Sequence, residues 1–211
     1  MSRVVVFGYS GYAGGAITRE LAERGHDVLG VSRGADGEAA AVAVRAGSIF
    51  DAQLVEEVAA GADHLVVALH AQGEPPLATA LPHLSASAVA HGATLSFVGG
   101  AGSLRVGENG PRVFDTPDFP EAYLPEAQAH GAILDSLREA PAELDWFYVS
   151  PAAEFGSWNP GERTGEFRIG GDVLLTAPDG SSTISGADYA IAYVDEIERG
   201  EHRRERFGVA Y

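Results

Sequence analysis

The stretch VVVFGYSGYAG, residues 4–14, decides the fold prediction for this chain. An apolar run typical of a β-strand breaks into three glycines, Gly8, Gly11 and Gly14, and a helical pattern follows as far as Gly25. Such a turn lets the backbone pass close to a pyrophosphate, and the helix N-terminus offers that group unpaired N–H groups. The spacing is Gly-x-x-Gly-x-x-Gly instead of Gly-x-Gly-x-x-Gly. The strand before it and the helix after it still favour a dinucleotide-binding turn over a turn that serves packing alone.

The end of the second apolar run, residues 28–31, indicates which dinucleotide the chain would bind. Ser32 and Arg33 follow this run. At this position, about 20 residues past the glycines, an acidic residue would bind the ribose 2′-hydroxyl of NAD, whereas an arginine accommodates the 2′-phosphate of NADP. The fixed fork of arginine donors also suits a phosphate. A solvated arginine at a strand end is the plain alternative. We therefore expect NADP, with NAD as the weaker alternative.

Length and composition exclude several classes of protein. The 211 residues suffice for one core, and we expect a single NAD(P)-binding domain over residues 1–211, with residues 152–211 as a small substrate-side appendage. Cysteine is absent, which excludes disulfides, thiolate catalysis and zinc–thiolate sites, and no histidine or carboxylate spacing indicates a metal site. The net charge of −16 argues against nucleic acid and anionic membranes as partners. No membrane-length apolar run and no signal peptide is evident, so we expect a cytoplasmic protein, a monomer or homodimer.

Strands and helices alternate along most of the chain, which predicts a Rossmann-type, doubly wound and mostly parallel α/β sheet. After Arg33 the pattern predicts an Ala-rich helix to Ala46, a helix capped by Asp51, a strand over 64–69, a helix over 77–89 interrupted early by Pro82, a strand over 94–98, a long loop over 107–125, a helix over 126–138 and a strand over 145–151. The last third predicts a small hairpin of 167–169 with 173–176, a helix over 188–198 and a short strand near 207–209.

Ligands of doubly wound sheets lie outside the carboxyl ends of the strands, so the residues that follow each strand are the expected cofactor contacts. They are Gly8, Ser10, Gly11, Tyr12 and Gly14 after the first strand, Ser32 and Arg33 after the second, Ala68, Leu69 and His70, then Gly99 and Gly100, and finally Ser150 and Pro151. The glycines at 99, 100 and 102 would allow a flat ring to approach closely.

Candidate catalytic residues are few. Ser103 is the best-placed hydroxyl, although a serine that caps a turn is an equal alternative. Tyr123 is the nearest tyrosine, but Ala127 stands four residues later and the chain contains no lysine, so a Tyr/Lys catalytic pair cannot form. Tyr123 is therefore better explained as a loop or substrate-contact residue. His70 and His130 could also donate a proton, although a lone histidine more often makes an ordinary hydrogen bond.

Four segments together resemble a known family: GYSGYAG at 8–14, FVGGAGSL at 97–104, LDWFYVSP at 144–151 and GERTGEFR at 161–168. The chain resembles the atypical short-chain dehydrogenase/reductases of the NmrA-like NAD(P)-binding group. Within that group it is most similar to small bacterial proteins labelled NADH-flavin reductases or biliverdin reductase B-like. The resemblance implies a Rossmann-type domain with NADP across the strand ends, with 99–104 and 150–155 on the nicotinamide side. Ile49, which the resemblance makes a further expected cofactor contact, follows the third strand, where relatives usually place an Asp near position 48 to meet adenine.

Three functions are consistent with these residues. The first is an oxidoreductase that passes hydride from NADPH to a small flat acceptor such as a flavin or quinone, with the proton taken from water. The second is a non-enzymatic NADP-binding sensor or regulator, which the NmrA-like resemblance allows. The third is a nucleotide-sugar epimerase or dehydratase, which ranks last because the region after Pro151 is short for a sugar-nucleotide domain.

Overall fold

The computed structural model describes residues 1–34 and 42–211 and contains an eight-stranded sheet flanked by helices. The strands are β1 (Arg3–Phe7), β2 (Asp27–Ser32), β3 (Ala43–Ala46), β4 (His64–Val67), β5 (Thr94–Val98), β6 (Trp146–Ser150), β7 (Arg168–Gly170) and β8 (Glu205–Ala210), and the helices are α1 (Tyr12–Glu23), α2 (Ala52–Ala59), α3 (Leu81–His91), α4 (Leu124–Arg138) and α5 (Gly186–Arg199). The strand order is β3-β2-β1-β4-β5-β6-β8-β7, and only β7 runs antiparallel to its neighbour. The Rossmann-type, doubly wound fold predicted from the sequence is confirmed.

The central strands are apolar along their whole length because helices cover both faces of the sheet. Val5 and Phe7 of β1 face one core cluster, which α2, α3 and α4 complete. Val4 and Val6 face the opposite cluster, which α1 and α5 complete. Since the strands from β3 to β6 are all parallel, their carboxyl ends lie along one edge of the sheet, with β1 and β4 adjacent at its centre.

Helix α5 is tied to the segment before it by one buried carboxylate. Asp188 accepts hydrogen bonds from the backbone N–H groups of Thr164 (2.9 Å) and Gly165 (2.8 Å) and from the hydroxyl of Tyr211 (2.6 Å). The Ser185 hydroxyl caps the helix by accepting from the Asp188 N–H (3.0 Å). The segment 161–168, one of the four that carry the family resemblance, and the start of α5 therefore hold the C-terminal elements together.

Of the elements predicted between Arg33 and β4, one differs from the structure and one agrees with it. The helix expected to reach Ala46 is wrong for residues 43–46, which pair with β2 as the edge strand β3; the earlier part of that prediction lies partly in residues 35–41, outside the described ones. Asp51 caps α2 as expected, because its carboxylate accepts from the N–H groups of Gln53 (3.0 Å) and Leu54 (3.2 Å).

Two further differences concern a proline and a strand partner. Pro82 is the second residue of α3 and does not interrupt it, since a proline in the first turn lacks only an N–H that would have no helical partner. The antiparallel pairing expected near the C-terminus is present, but β7 pairs with β8, and Val173 makes only an isolated bridge with Arg105. A long-range partner replaced the local hairpin because β8 offers β7 the open edge of the main sheet.

Candidate functional site

The glycine-rich turn between β1 and α1 contains glycines of two kinds. A Cβ at Gly8, whose φ is +88°, would stand 2.3 Å from the carbonyl oxygen of Ala68, and a Cβ at Gly14 would stand 2.2 Å from that of Gly8. These two positions need glycine for packing. A Cβ at Gly11 would meet nothing closer than the Gly8 oxygen at 3.4 Å, and its φ of −75° suits any residue. Gly11 therefore leaves open space at the start of α1.

That space adjoins the first backbone N–H groups of α1. Gly11 is the N-cap of α1 and supplies no side-chain hydrogen bond, and the first turn of this helix has no acidic residue. The first N–H groups of a helix have no intrahelical partner and carry the positive end of its dipole. Ser10, beside them, is exposed. The turn therefore suits an anionic group such as a pyrophosphate, as its sequence predicted.

The side chain of Tyr12 contacts the C-terminal part of the protein. Its hydroxyl accepts from the Gly186 N–H (2.9 Å) and donates to the Pro160 oxygen (3.2 Å), and its ring lies 5.2 Å from that of Phe155. Tyr12 thus joins the turn to the C-terminal segment. Any contact of this residue with a cofactor would come from its backbone.

At the end of β2, the side chains of Ser32 and Arg33 differ in whether they have a partner within the described residues. The Ser32 hydroxyl donates to the Gly34 oxygen (2.5 Å), which closes a local turn. Arg33 is exposed and makes no ion pair with any other residue that the structure describes. Arg45 of the neighbouring strand, by contrast, is paired with Glu57. Among the described residues at this edge, Arg33 therefore has a guanidinium that could bind a phosphate, whereas that of Arg45 is already paired.

Three further predicted contacts, Ile49, Ala68 and Leu69, follow the ends of β3 and β4. Ile49 is buried in the core, and its carbonyl oxygen accepts from the His83 ring (2.7 Å). Ala68 continues the ladder from β1 by donating to the Phe7 oxygen (2.9 Å), and Leu69 packs against the same core cluster.

The loop after β5 is held close to the sheet by Tyr148. A Cβ at Gly99 would stand 2.0 Å from the Tyr148 ring, so only glycine fits there. The Tyr148 hydroxyl accepts from the Gly100 N–H (3.3 Å) and donates to the His130 carbonyl oxygen (3.3 Å). Burial raises the pKa of this phenol well above its usual range, so it remains a neutral bridge between the loop and α4.

Ser103 and Ser150 belong to a buried network around Arg206. The Arg206 guanidinium lies 3.2 Å from the Ser103 hydroxyl and 3.4 Å from the Ser150 hydroxyl, which itself donates to the Gly100 oxygen (3.1 Å). Asp172 accepts from Arg206 Nε (2.6 Å) and also pairs with Arg138. Ser103, the expected catalytic hydroxyl, is buried, and its contact with Arg206 anchors the loop to the sheet. Its catalytic role stays a prediction.

Sequence reasoning missed Arg206 and Asp172. Asp172 follows two glycines and resembles a turn residue, and Arg206 stands among other arginines in a charged run near the C-terminus. Burial lowers the pKa of Arg206 and the attraction of Asp172 opposes this, so the arginine needs its partner. No pattern in the sequence marks a pair that lies 34 residues apart.

The other expected catalytic residue, Tyr123, lies just before α4 and is 64% exposed. Ala127, where a lysine would complete a Tyr/Lys pair, packs against the glycine loop, because a Cβ at Gly102 would stand 2.7 Å from the Ala127 Cβ. The surface position of Tyr123 suits the substrate-contact role expected for it, which stays a prediction. Pro151 is buried beside Ser150 at the end of β6.

Glu126, in the first turn of α4, joins this helix to the loop after β4. Its carboxylate accepts from the N–H groups of Ala71 (2.9 Å) and Gln72 (2.7 Å) and lies 3.1 Å from His70 Nδ1 and 3.3 Å from His130 Nε2. Burial alone would raise the pKa of this carboxyl, but the hydrogen bonds from His130, Gln72 and Ala71 outweigh it and lower the pKa to about 2. The group is therefore ionised at all physiological pH values.

The family of the chain follows from comparison with known proteins. The family model described as NAD(P)H-binding matches residues 8–198, a span that begins at the glycine turn and ends within α5. The chain therefore belongs to this NAD(P)H-binding family. Its reductase- or epimerase-like Rossmann fold agrees with the resemblance to atypical short-chain dehydrogenase/reductases seen in the sequence.

Three relatives show how closely the family matches. The Bacillus subtilis (strain 168) protein YwnB, which is uncharacterised, is 36% identical over 98% of this chain and 97% of its own length. A Streptococcus pneumoniae TIGR4 protein, provisionally named an NADH-flavin reductase, is 34% identical, with a TM-score of 0.90 over 100% of this chain and 99% of that chain. A Bacteroides thetaiotaomicron protein, provisionally named an epimerase, is 33% identical, with a TM-score of 0.88 over 100% and 97%.

Substitutions at Gly11 and Gly14 should separate binding from packing. Gly11→Val should leave the thermal unfolding temperature nearly unchanged but abolish NADPH binding, because the side chain would fill the space beside the helix N-terminus. Gly14→Val should instead destabilise the fold, because its Cβ would collide with the Gly8 backbone. Fluorescence titration with NADPH and thermal unfolding measure both effects. Normal NADPH binding by a folded Gly11→Val protein would show that this glycine is not at the cofactor.

The ion pair between the buried Arg206 and the half-exposed Asp172 should respond asymmetrically to the loss of either partner. Asp172→Ala should destabilise the protein by about 3 kcal/mol, because it leaves a buried guanidinium without its counter-charge. Arg206→Met should cost only about 1 kcal/mol, because methionine fills the apolar part of the site and Asp172 keeps Arg138. Urea unfolding of both variants measures the two costs. Equal losses of unfolding free energy in the two variants, or a larger loss in Arg206→Met, would contradict the view that the unpaired buried guanidinium is the main source of destabilisation.

Proposed function

We propose that the protein is an NADP(H)-dependent reductase that passes hydride to a small flat acceptor such as a flavin or quinone. The observation that carries this proposal is the open start of α1 at Gly11, which stands beside the gap between β1 and β4 where ligands of doubly wound sheets bind. Membership of the NAD(P)H-binding family supports it, and so does the similarity to a protein provisionally named an NADH-flavin reductase.

Within this proposal the protein mainly binds and orients two rings. The cofactor supplies the hydride chemistry when bound. The N–H groups at the start of α1 would hold its pyrophosphate, and the glycine loop fixed by Tyr148 would border its nicotinamide end. Because the chain lacks lysine, the usual Tyr/Lys proton donor has no counterpart here. Ser103, the other expected catalytic residue, is buried.

The preference for NADP over NAD rests on Arg33. Its guanidinium is exposed at the end of β2 and makes no ion pair among the described residues, while the protein carries a net charge of −16. A phosphate in an otherwise acidic surface needs a cation of this kind, and the planar fork of arginine matches its oxygens.

Two other functions remain as alternatives. A sensor would bind NADPH at the same edge without oxidising it. An epimerase has support from the name of the Bacteroides thetaiotaomicron relative. It would need room for a sugar nucleotide, however, and after β6 the chain soon returns to the sheet through β7, α5 and β8. The reductase therefore remains our preferred function.

The preference for NADP can be measured with one arginine variant. Arg33→Ala should weaken NADPH binding by ~1.5–3 kcal/mol, roughly 10- to 150-fold, and leave NADH nearly unchanged, because only NADPH has the 2′-phosphate. Arg45→Ala is the matched control, since it removes the same charge from the adjacent strand. Isothermal titration with both cofactors gives the affinities. Equal losses of NADPH and NADH affinity in Arg33→Ala would refute the assignment.

The reductase itself is tested by NADPH oxidation with a panel of free flavins and quinones. We expect slow turnover with at least one of them. Ser103→Ala and Tyr123→Phe should each reduce that turnover by less than ~100-fold, the low end for loss of a positioned proton donor. If NADPH binds tightly and no acceptor in the panel oxidises it, the protein is better described as a sensor.

A further inference from the structure

The site contains one cluster of titratable groups to which the proposed reductase assigns no role. Glu126 holds two imidazoles, those of His70 and His130, on the same carboxylate oxygen, Oε1. The cluster lies where the loop after β4 meets the start of α4, next to the strand end that adjoins β1. A bound cofactor would have its reactive end near this part of the edge if it followed the usual path across a doubly wound sheet.

The carboxylate at the centre of the cluster is rigidly placed. The N–H groups of Ala71 and Gln72 donate to its two different oxygens, at 2.9 and 2.7 Å, so the loop after β4 is wrapped around it. A carboxylate fixed by backbone donors can impose one orientation on an imidazole, as the aspartate of a catalytic triad does.

The two imidazoles differ in their access to the cleft. His130 is buried, at 7% exposed, and its Nδ1 has no hydrogen-bond partner among the described residues. The His70 side chain is 93% exposed. Because His70 Nδ1 faces Glu126, its Nε2 points away from the carboxylate and is free to meet a ligand. No other described titratable side chain lies within ion-pair distance of His70 besides Glu126, which also holds His130.

We propose that His70, oriented by Glu126, donates the proton that completes reduction of a quinone or another conjugated carbonyl compound. This inference rests on the proposed reductase and names its acceptor class. Two electrons and one proton reach the acceptor as hydride from NADPH, which becomes NADP⁺. The oxyanion so formed takes a second proton from His70 Nε2, and the neutral imidazole regains a proton from solvent. Glu126 is a positioning residue, because it acts only through His70.

The same geometry explains why quinones should be the better acceptors. Hydride transfer to a quinone leaves a basic oxyanion, which a nearby imidazolium stabilises by donating a proton to it. A reduced flavin spreads its charge over a large ring system and gains less from a single donor. The proposal therefore expects the contribution of His70 to depend on the acceptor.

The test is single-turnover oxidation of NADPH by 2-methyl-1,4-naphthoquinone and by free FMN, in the full-length protein from pH 5 to 8. His70→Gln should slow quinone reduction about 100-fold, the lower part of the range for a general acid, and slow FMN reduction far less. The wild-type rate should fall as the pH rises across this interval, in which imidazoles titrate, and the rate of the variant should not. Free imidazole should restore part of the activity of His70→Ala.

Matched variants separate this role from a structural one. His91→Gln removes a histidine from an equivalent pair with Glu56 (2.7 Å), at the end of α3 beside the start of β5, and should leave every rate unchanged. Glu126→Gln should move the pH dependence to lower pH, because the imidazolium loses its counter-charge. Although residue 70 is an expected cofactor contact, glutamine keeps a polar side chain there, so the affinity for NADPH, measured by titration, should change less than threefold in His70→Gln, about 0.6 kcal/mol.

Two results would overturn the inference in different ways. If the wild type reduces quinone and His70→Gln does so equally fast with the same pH dependence, His70 is not the donor and the reductase proposal stands. If the wild type binds NADPH but oxidises it with neither acceptor, the reductase proposal fails and this inference fails with it.

Discussion

The start of α1 packs closely against the backbone just beyond the carboxyl ends of β1 and β4, and the rest of the site depends on this contact. A Cβ at Gly14 would stand 2.2 Å from the Gly8 oxygen, and one at Gly8 would stand 2.3 Å from the Ala68 oxygen. Close packing of this kind fixes both the position and the direction of the helix. It therefore brings the helix N–H groups to the gap between β1 and β4, where a parallel sheet with this order opens a crevice.

The opposite half of the edge is positioned by long-range polar contacts instead of by glycine packing alone. Tyr148 holds Gly100 from below, and Arg206 reaches from β8 to Ser103 and Ser150. Asp172 balances the buried charge of Arg206. Gly99 and Gly102 are buried against Tyr148 and Ala127, so Gly100 and Ala101 are the partly exposed positions of this loop that a ligand could reach. Glu126 plays the corresponding part for the loop after β4.

Much of this could be predicted from the sequence, because the decisive signals are local. The glycine turn, the apolar central strands and the Asp51 cap each identify their element within a few residues. Strand β3 could not be predicted in this way. Its four residues, Ala43–Ala46, have no apolar alternation because they form an exposed edge, and alanine favours a helix when nothing else decides. The partner of β7 was missed for a different reason, since only the folded chain brings β8 to it.

The residues of the candidate site likewise differ in whether local sequence signals or long-range contacts determine their positions. The predicted cofactor contacts follow strand ends, so their positions can be predicted once the strands are known. Arg206 and Glu126 act through partners distant in sequence, and nothing in the local pattern distinguishes them from surface charges. The buried position of Ser103 likewise depends on β8, which the chain forms more than 100 residues later.

The central claim is that NADPH binds along the carboxyl edge from the start of α1 to the glycine loop after β5. Hydrogen–deuterium exchange with and without NADPH tests it most directly. The account expects slower exchange in peptides covering residues 8–15 and 99–104, and unchanged exchange in the α3 peptide over residues 84–92, which ends beside the opposite edge of the sheet. Protection confined to other parts of the chain, or no protection at saturating NADPH, would contradict it.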